Sequence, residues 1–209
     1  PYVVCEAAAA AGVERVVAAW ILAALGTGFQ PEPVRLSALP LDEDHPLTAH
    51  DPYGLGKRAG ELAADGVARR AGAPDVVSLR FPYVVDESTA AAWRGSDRSL
   101  AGLRASGDFE TARDSLFSYL RSGDAARAVR RALDADGADV DGHEACYVAA
   151  ADTTTTTATR ELLADVYPDV PARDSFDPRD REALLSTGTA RELLDWAPRA
   201  SWLDEPGEG

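Results

Sequence analysis

Tyr53 and Lys57 are the residues whose types and spacing most clearly suggest chemistry. Lys57 is the single lysine among 21 basic residues. Asp51 and Pro52 come just before the pair and favour a helix start, because aspartate caps helices and proline suits the first turn. Residues i and i+4 lie on one helix face, so the phenol and the ammonium are predicted to point into the same space.

A phenol keeps its proton at neutral pH, and a cation held beside it favours the phenolate. Tyr53 assisted by Lys57 could therefore take a proton from a hydroxyl group and return it, which is general acid–base chemistry. The alternative is an ordinary exposed pair on a helix surface. Spacing alone leaves both open.

The composition narrows the class of protein. The chain has 209 residues and a formal net charge of -14, and such a surface repels nucleic acid and anionic membranes. No apolar run reaches the roughly 18 residues of a membrane span. Abundant Ala, Asp, Glu and Arg with one Lys indicate a salt-adapted cytoplasmic protein. The alternative is an acidic protein without salt adaptation.

The order of the predicted elements indicates an α/β protein. Helices and β-branched runs alternate with short connections in the first third of the chain, which favours a parallel sheet. Residues 84–117 are expected to form short helices, and residues 26–48 a loop. The predicted helices are 2–11, 53–71, 124–135, 157–166 and 187–194, and the predicted strands are 13–25, 75–81 and 144–150.

Five blocks resemble, in order, the extended short-chain dehydrogenase/reductase family of NAD-dependent epimerases and dehydratases. They are CEAAAAAGVERVV, LDEDHPLTAHDPYGLGKRAGE, SLRFPYVV, GDAARAVRRAL and LLSTGTARELLDWAPRASW. The second contains the family's Tyr-x-x-x-Lys motif. The resemblance implies an oxidoreductase or epimerase that acts on a sugar, sugar nucleotide or similar hydroxyl substrate with NAD or NADP. It also implies a homodimer through the Tyr53 helix and the helix before it.

The same resemblance implies a fold and a division of the chain. The fold is the C-terminal part of a Rossmann-like parallel sheet with a small α/β substrate lobe. Residues 1–83 would be the Rossmann portion. Residues 84–209 would be mostly substrate lobe, with residues 116–135 returning to the Rossmann core.

The resemblance also assigns roles to particular residues. Tyr53 would be the general acid/base, and Lys57 its electrostatic partner and a ligand of the nicotinamide ribose. The strand end beside the nicotinamide would be formed by Arg80, Phe81, Pro82 and Tyr83, for which plain strand packing is the alternative. Candidate substrate-binding arginines in the lobe are Arg94, Arg98, Arg104 and Arg113, for which exposure to solvent is the alternative.

Two departures from the family pattern are visible. The Gly-rich turn that accommodates the cofactor pyrophosphate is not among the 209 residues, and we expect it to be encoded upstream of a truncated chain. Trp20 or Ile21 stands where the family has its catalytic Ser or Thr, and Ser37 is the nearest later serine. We therefore expect this chain alone to be inactive and to bind no NAD(H) or NADP(H). The alternative is a non-catalytic relative or binding module.

Other reactive side chains receive structural interpretations. The acidic loop with two histidines is predicted to be solvated rather than a metal site, because zinc sites prefer closed Cys/His sets. His143 is explained by the turn before a strand, and Cys5 and Cys146 are predicted core residues. The threonines at 153–157 are predicted to form a loop that caps the next helix. The loop residues are Asp42, Glu43, Asp44, His45 and His50.

Overall fold

The structure is a computed structural model that describes residues 2–28, 36–135, 140–173, 176, 178 and 180–205. Those residues contain eight α-helices, five β-strands and one 3-10 turn at Leu22–Leu25. The helices are α1 Tyr2–Ala10, α2 Pro52–Ala68, α3 Glu87–Arg94, α4 Leu100–Ser106, α5 Phe109–Asp114, α6 Ser122–Asp134, α7 Thr159–Val166 and α8 Gly188–Leu194. The strands are β1 Arg15–Ile21, β2 Asp75–Phe81, β3 Tyr83–Val85, β4 Tyr119–Arg121 and β5 His143–Tyr147.

The predicted parallel sheet is confirmed. Strands β1, β2 and β5 form a three-stranded sheet in that order, and both pairings are parallel. The register places Arg15 opposite Asp75, and Val76 opposite His143. Strand β2 lies in the middle, where a parallel strand is covered on both faces, and its residues 76–80 are all buried.

Helices cover both faces of the sheet. Successive strand side chains point to opposite faces. Val76 therefore packs against Ala64 and Val67 of α2, while Val77 and Leu79 pack on the other side with residues of α6 and α8. Cys5 and Cys146 are buried, as predicted.

The start of α2 follows the predicted capping. The Asp51 carboxylate accepts hydrogen bonds from the backbone N–H groups of Tyr53 and Gly54, both at 2.9 Å. Gly54 lies so close to the 3-10 turn that an added Cβ would stand 2.7 Å from the carbonyl oxygen of Ala23. This contact places the first turn of α2 directly beside the end of β1.

A second, smaller layer follows the main sheet. Helices α3 to α5 are the short helices that the sequence predicts between residues 84 and 117. Strands β3 and β4 pair in parallel and were missed by the sequence analysis, because each has only three residues. Leu103, Leu116 and Phe117 are completely buried in the core of this region.

Two predicted strands were too long. The strand predicted as 13–25 ends at Ile21, because the next four residues form the 3-10 turn and Gly26 follows at φ 79°. The strand predicted as 144–150 ends at Tyr147. The backbone N–H of Ala150 donates to the carbonyl oxygen of Tyr119 in β4 and not to a residue of β2.

The prediction of a solvated acidic loop is wrong for Asp42, Glu43 and His45, whereas Asp44 and His50 are exposed. His45 is 4% exposed, and Asp42 forms an ion pair with Arg173 at 2.6 Å. The Glu43 carboxylate accepts hydrogen bonds from the Tyr147 backbone N–H and the Thr189 hydroxyl, both at 2.7 Å. The loop is therefore part of the packed structure.

The threonine run also differs from its prediction. Thr153, Thr154 and Thr155 are buried. Helix α7 begins at Thr159, and its N-cap Ala158 has no side-chain group to accept a capping hydrogen bond.

No helix within the described ranges is both long enough and apolar enough to cross a bilayer.

Candidate active site

A cleft of about 780 Å³ lies where β1 and β2 end and α2 begins. Ligands of open α/β sheets bind at this edge, outside the carboxyl ends of the strands. The cleft brings together most of the candidates that the sequence singled out for cofactor or substrate. They are Tyr53, Lys57, Phe81, Pro82, Tyr83 and Arg98.

Tyr53 and Lys57 face the same space, as their spacing requires. The Lys57 Nζ lies 5.6 Å from the centroid of the Tyr53 ring. Tyr53 is 51% exposed, so its phenol is accessible from the cleft. The pair is thus placed where a hydroxyl-bearing ligand could reach it.

Trp20 forms the inner wall beside this pair. Its ring centroid is 5.6 Å from the Lys57 Nζ, and the residue is 7% exposed. The indole N–H donates to the Ser78 Oγ at 2.5 Å. Trp20 therefore offers the cleft an aromatic face and no donor.

Ser78 forms a second hydrogen bond, with His143. The Ser78 Oγ is 2.8 Å from the His143 Nε2. An indole N–H can only donate, so Ser78 accepts from Trp20 and its own proton points to an unprotonated Nε2. Burial lowers the pKa of His143, which favours this neutral form. The sequence analysis explained His143 by turn chemistry alone and did not find the contact.

Arg80 is held beneath the cleft and does not line it. Its Nε and Nη2 donate to the two carboxylate oxygens of Glu61 at 3.1 and 3.0 Å, and its Nη1 donates to the Tyr147 hydroxyl at 3.4 Å. Burial opposes the charge of Arg80, but these partners raise its pKa overall. Glu61 follows Lys57 by one helical turn and lies on the same face of α2. The ion pair therefore holds this face of α2 against β2.

The lobe arginines occupy different environments. Arg94 donates to the carbonyl oxygens of Trp202 and Asp204 and pairs with Glu87. Arg104 is exposed and pairs with Asp165. Arg113 pairs with its neighbour Asp114.

Arg98 differs from them because it is 6% exposed and lines the cleft. Its guanidinium carbon lies 4.5 Å from the Trp93 ring centroid. The sequence analysis missed Trp93 and Thr154 as neighbours of Arg98, since neither has a spacing that points to it.

Ser37 lies outside the lining of the cleft, and its hydroxyl bonds the Nδ1 of His45 at 2.8 Å. Within the part of the chain that the structure describes, no group of three or more His, Cys, Asp or Glu side chains could hold a metal ion.

Neither the protein-family models nor the curated protein sequences contain a match to this chain. Solved structures do match. MoeE5 in complex with UDP-glucuronic acid and NAD is similar with 20% identity and a TM-score of 0.60, covering 96% of this chain and 64% of MoeE5. The chain thus spans less than two thirds of the length of MoeE5.

Two further structures have the same architecture. A short-chain dehydrogenase/reductase superfamily protein from Agrobacterium tumefaciens, with bound NAD, is similar at 21% identity and a TM-score of 0.60, covering 96% of this chain and 67% of that protein. DesIV, a dTDP-glucose 4,6-dehydratase from Streptomyces venezuelae, is similar at 17% identity and a TM-score of 0.56, covering 96% and 60%.

These similarities define the class of fold. The chain has the Rossmann-like α/β fold shared by NAD-dependent sugar-nucleotide epimerases and dehydratases. The resemblance to the extended short-chain dehydrogenase/reductase family is confirmed at the level of the fold.

Proposed function

We propose that this protein is an NAD(P)-dependent oxidoreductase or epimerase of the extended short-chain type, acting on a sugar nucleotide or similar hydroxyl substrate. One observation carries the proposal: Tyr53 and Lys57 both line a cleft at the carboxyl ends of parallel strands. The similar proteins MoeE5 and DesIV, which are solved with NAD, support the choice of cofactor.

In this proposal the Tyr53 hydroxyl moves the substrate's proton. As a phenolate it accepts the proton of the substrate hydroxyl, and as a phenol it returns a proton to the carbonyl. Lys57 stabilises the phenolate by its positive charge. When bound, the nicotinamide supplies the hydride chemistry.

The residues present fit one end of a dinucleotide better than the other. Phe81, Pro82 and Tyr83 line the cleft beside Tyr53 and Lys57, where a nicotinamide ring would be held. Among the described residues, no Gly-rich turn leads from a strand directly into a helix, as the pyrophosphate would require. Gly54 does not replace it, because its missing side chain makes room for Ala23 and Ala49. We therefore expect dinucleotide affinity weaker than micromolar. Arg80, Arg94 and Arg113 have no part in the proposal, since other residues engage them.

Trp20 favours a second candidate function. Either Trp20 or Ile21 replaces the family's hydroxyl donor; Ile21 has no polar atom in its side chain, and the indole N–H of Trp20 is already bonded to Ser78. Tyr53 would then be the sole acid–base group beside the reacting oxygen among the residues discussed. A non-catalytic relative that binds a ligand in the same cleft is the alternative.

A matched pair of tyrosine variants tests the proposal. Turnover of UDP-glucose would be followed in concentrated KCl with millimolar NAD⁺ or NADP⁺, by nicotinamide absorbance and by product analysis. If millimolar cofactor restores turnover to this chain, Tyr53→Phe should lower it by about a hundredfold or more, the scale of general acid–base catalysis. Tyr2→Phe, on α1 and outside the cleft, should leave turnover unchanged.

Calorimetric titration with NAD⁺ and NADP⁺ separates the outcomes. Turnover that survives Tyr53→Phe would refute the assigned role of the phenol. Absence of turnover at millimolar cofactor, with UDP-glucose still bound, would favour the non-catalytic alternative. Micromolar dinucleotide affinity would contradict the expectation drawn from the Gly-rich turn.

A further inference from the structure

One end of the cleft, here called the lobe end, is lined by Trp93, Arg98 and Asp108. Arg98 is buried there and has no hydrogen-bonded counterion. The Arg98 Nε donates to the carbonyl oxygen of Thr154 at 2.9 Å. The Asp108 carboxylate is 3.9 Å from the Arg98 Nη1, beyond hydrogen-bonding distance. In the described ranges, neither terminal nitrogen of Arg98 has a hydrogen-bond acceptor, and burial lowers the pKa of this guanidinium.

The guanidinium is fixed in place. It stacks on the Trp93 ring at 4.5 Å, and that ring packs edge-on against Tyr119 and Trp202. The Arg98 backbone carbonyl accepts hydrogen bonds from the Thr155 hydroxyl at 2.6 Å and from a backbone N–H of the threonine run. A fixed guanidinium loses little conformational entropy on binding a ligand, and its planar donor fork suits an oxyanion.

A second unsatisfied group lies beside it. The Thr154 hydroxyl has no hydrogen-bond partner among the described residues, although the residue is 3% exposed and lines the cleft. Buried polar groups are nearly always paired, and an unpaired one calls for a partner. The carbonyl oxygen of Thr154 accepts from the Arg98 Nε, which assigns this hydroxyl to the lobe end of the cleft.

Two carboxylates line the same end and would oppose an anion. Asp114 is neutralised, because Arg113 donates to it through Nε and Nη2 at 3.1 and 2.9 Å. The Asp108 side chain is 61% exposed and accepts a hydrogen bond from Ser106 at 3.0 Å. It can therefore turn to solvent when a hydrogen-bonding anion takes its place.

We propose that Arg98 and Thr154, supported by Trp93, form an oxyanion subsite that binds a phosphate or carboxylate group of the substrate. The proposal deepens the proposed function, on which it rests only for the assumption that the cleft takes a substrate. A neutral ligand would leave the buried guanidinium of Arg98 without a hydrogen-bonded counterion. The substrate class is therefore an anionic hydroxyl compound, with its charge at the lobe end and its reacting hydroxyl at Tyr53.

Calorimetric titration of the whole chain at one fixed KCl concentration tests the subsite without cofactor or turnover. UDP compared with uridine measures the effect of a phosphate group, and glucuronate compared with glucose measures that of a carboxylate. At least one anion should bind about tenfold or more tightly than its neutral counterpart, as hydrogen bonds to a charged group provide. The pair with the larger ratio identifies the source of the oxyanion.

Three variants assign the effect to the subsite. Arg98→Gln should weaken the anion about tenfold or more and leave the neutral counterpart unchanged. Asp108→Asn should tighten the anion about two- to fivefold by removing a competing charge. Arg104→Gln removes an exposed arginine of the same lobe that pairs with Asp165, and should change neither. Asp108 is exposed, so its variant stays informative if Arg98→Gln fails to fold.

Equal affinity for the charged and neutral members of both pairs would overturn the subsite, as would no binding by any of the four. A loss for Arg104→Gln equal to that for Arg98→Gln would also overturn it, because the effect would then be one of net charge. Weaker anion binding by Asp108→Asn would count against it. If Tyr53→Phe loses turnover and keeps anion binding, the subsite and the role of Tyr53 are separate and both are supported. If turnover depends on Tyr53 but no anion binds more tightly than its neutral counterpart, the subsite alone is wrong.

Discussion

At the scale of single residues, Trp20 shapes the cleft beside Tyr53 and Lys57. Trp20 or Ile21 stands where the family resemblance leads one to look for a hydroxyl, and Trp20 presents an aromatic ring to the cleft. Its N–H is bonded to Ser78, and Ser78 is bonded to His143, so a chain of hydrogen bonds across three adjacent strands fixes the indole. Under the proposed function, Tyr53 would be the proton-transferring group, and Trp20 contributes a fixed aromatic wall beside it.

The neutral state of His143 makes folding stability depend on pH. Burial lowers its pKa in the folded protein, so the unfolded chain binds the proton first as the pH falls. Stability is complete above the unfolded value of about 6.5 and is lost as the pH falls towards the folded pKa. His143→Gln should reduce the slope of the unfolding free energy against pH by up to about 1.4 kcal/mol per pH unit.

Urea unfolding between pH 7.5 and pH 5.5, at constant salt, measures the slopes. His50→Gln changes an exposed histidine and should keep the slope of the unchanged protein. Burial lowers the pKa of His45 as well, so some slope should remain in the His143 variant. Identical slopes for the His143→Gln variant and the unchanged protein would show that His143 is not the responsible group.

Helix α2 carries Tyr53 and Lys57, and two contacts fix its position. At its start, Gly54 lets the helix approach the 3-10 turn after β1. Two turns later, Glu61 pairs with Arg80 of β2 in a site where each side chain is 9% exposed. Removing one partner of such a buried pair costs about 3–5 kcal/mol. Tyr53 is adjacent to the first of these contacts, and Lys57 lies between the two.

Two glycines of α2 provide a matched test. Gly54→Ala should destabilise the protein by about 1–3 kcal/mol, because the new Cβ would meet Ala23 O and Ala49 Cβ at 2.7 Å. Gly66→Ala should stabilise it by roughly 0.5–1 kcal/mol, because nothing lies within 4 Å of its added Cβ. Thermal or urea unfolding measures both. Equal effects of the two changes would mean that the close approach does not position α2.

The charge of the whole molecule predicts a response to salt. With 35 acidic and 21 basic residues, like charges repel, and the Debye length falls from about 10 Å at 0.1 M to about 3 Å at 1 M salt. If screening adds about 2 kcal/mol, Tm should rise by about 4–8 °C, since each kcal/mol corresponds to about 2–4 °C at this size.

Thermal unfolding from 0.1 to 3 M KCl tests this. Most of the gain should come below about 1 M, where screening is nearly complete. A steady rise up to 3 M would indicate exclusion of salt from the surface instead. A Tm that does not change with KCl would contradict the salt adaptation inferred from composition.

The sequence by itself determined the local features. Asp51 and Pro52 set the start of α2, the spacing of Tyr53 and Lys57 set their common face, and the strand predicted at 75–81 has the observed bounds. These features depend on neighbours in the chain, so pattern and propensity suffice. The quoted family blocks added the class of fold.

Only the tertiary structure decided which side chains meet. Ser78 with His143, Glu61 with Arg80, and Thr154 with Arg98 are separated by 65, 19 and 56 residues. Their partners come from strand register and from packing between layers, which no local pattern encodes. The same reason explains why a buried acidic loop looked solvated, and why Arg98 could not be separated from Arg94 and Arg113 by sequence. Burial is a property of the assembled layers.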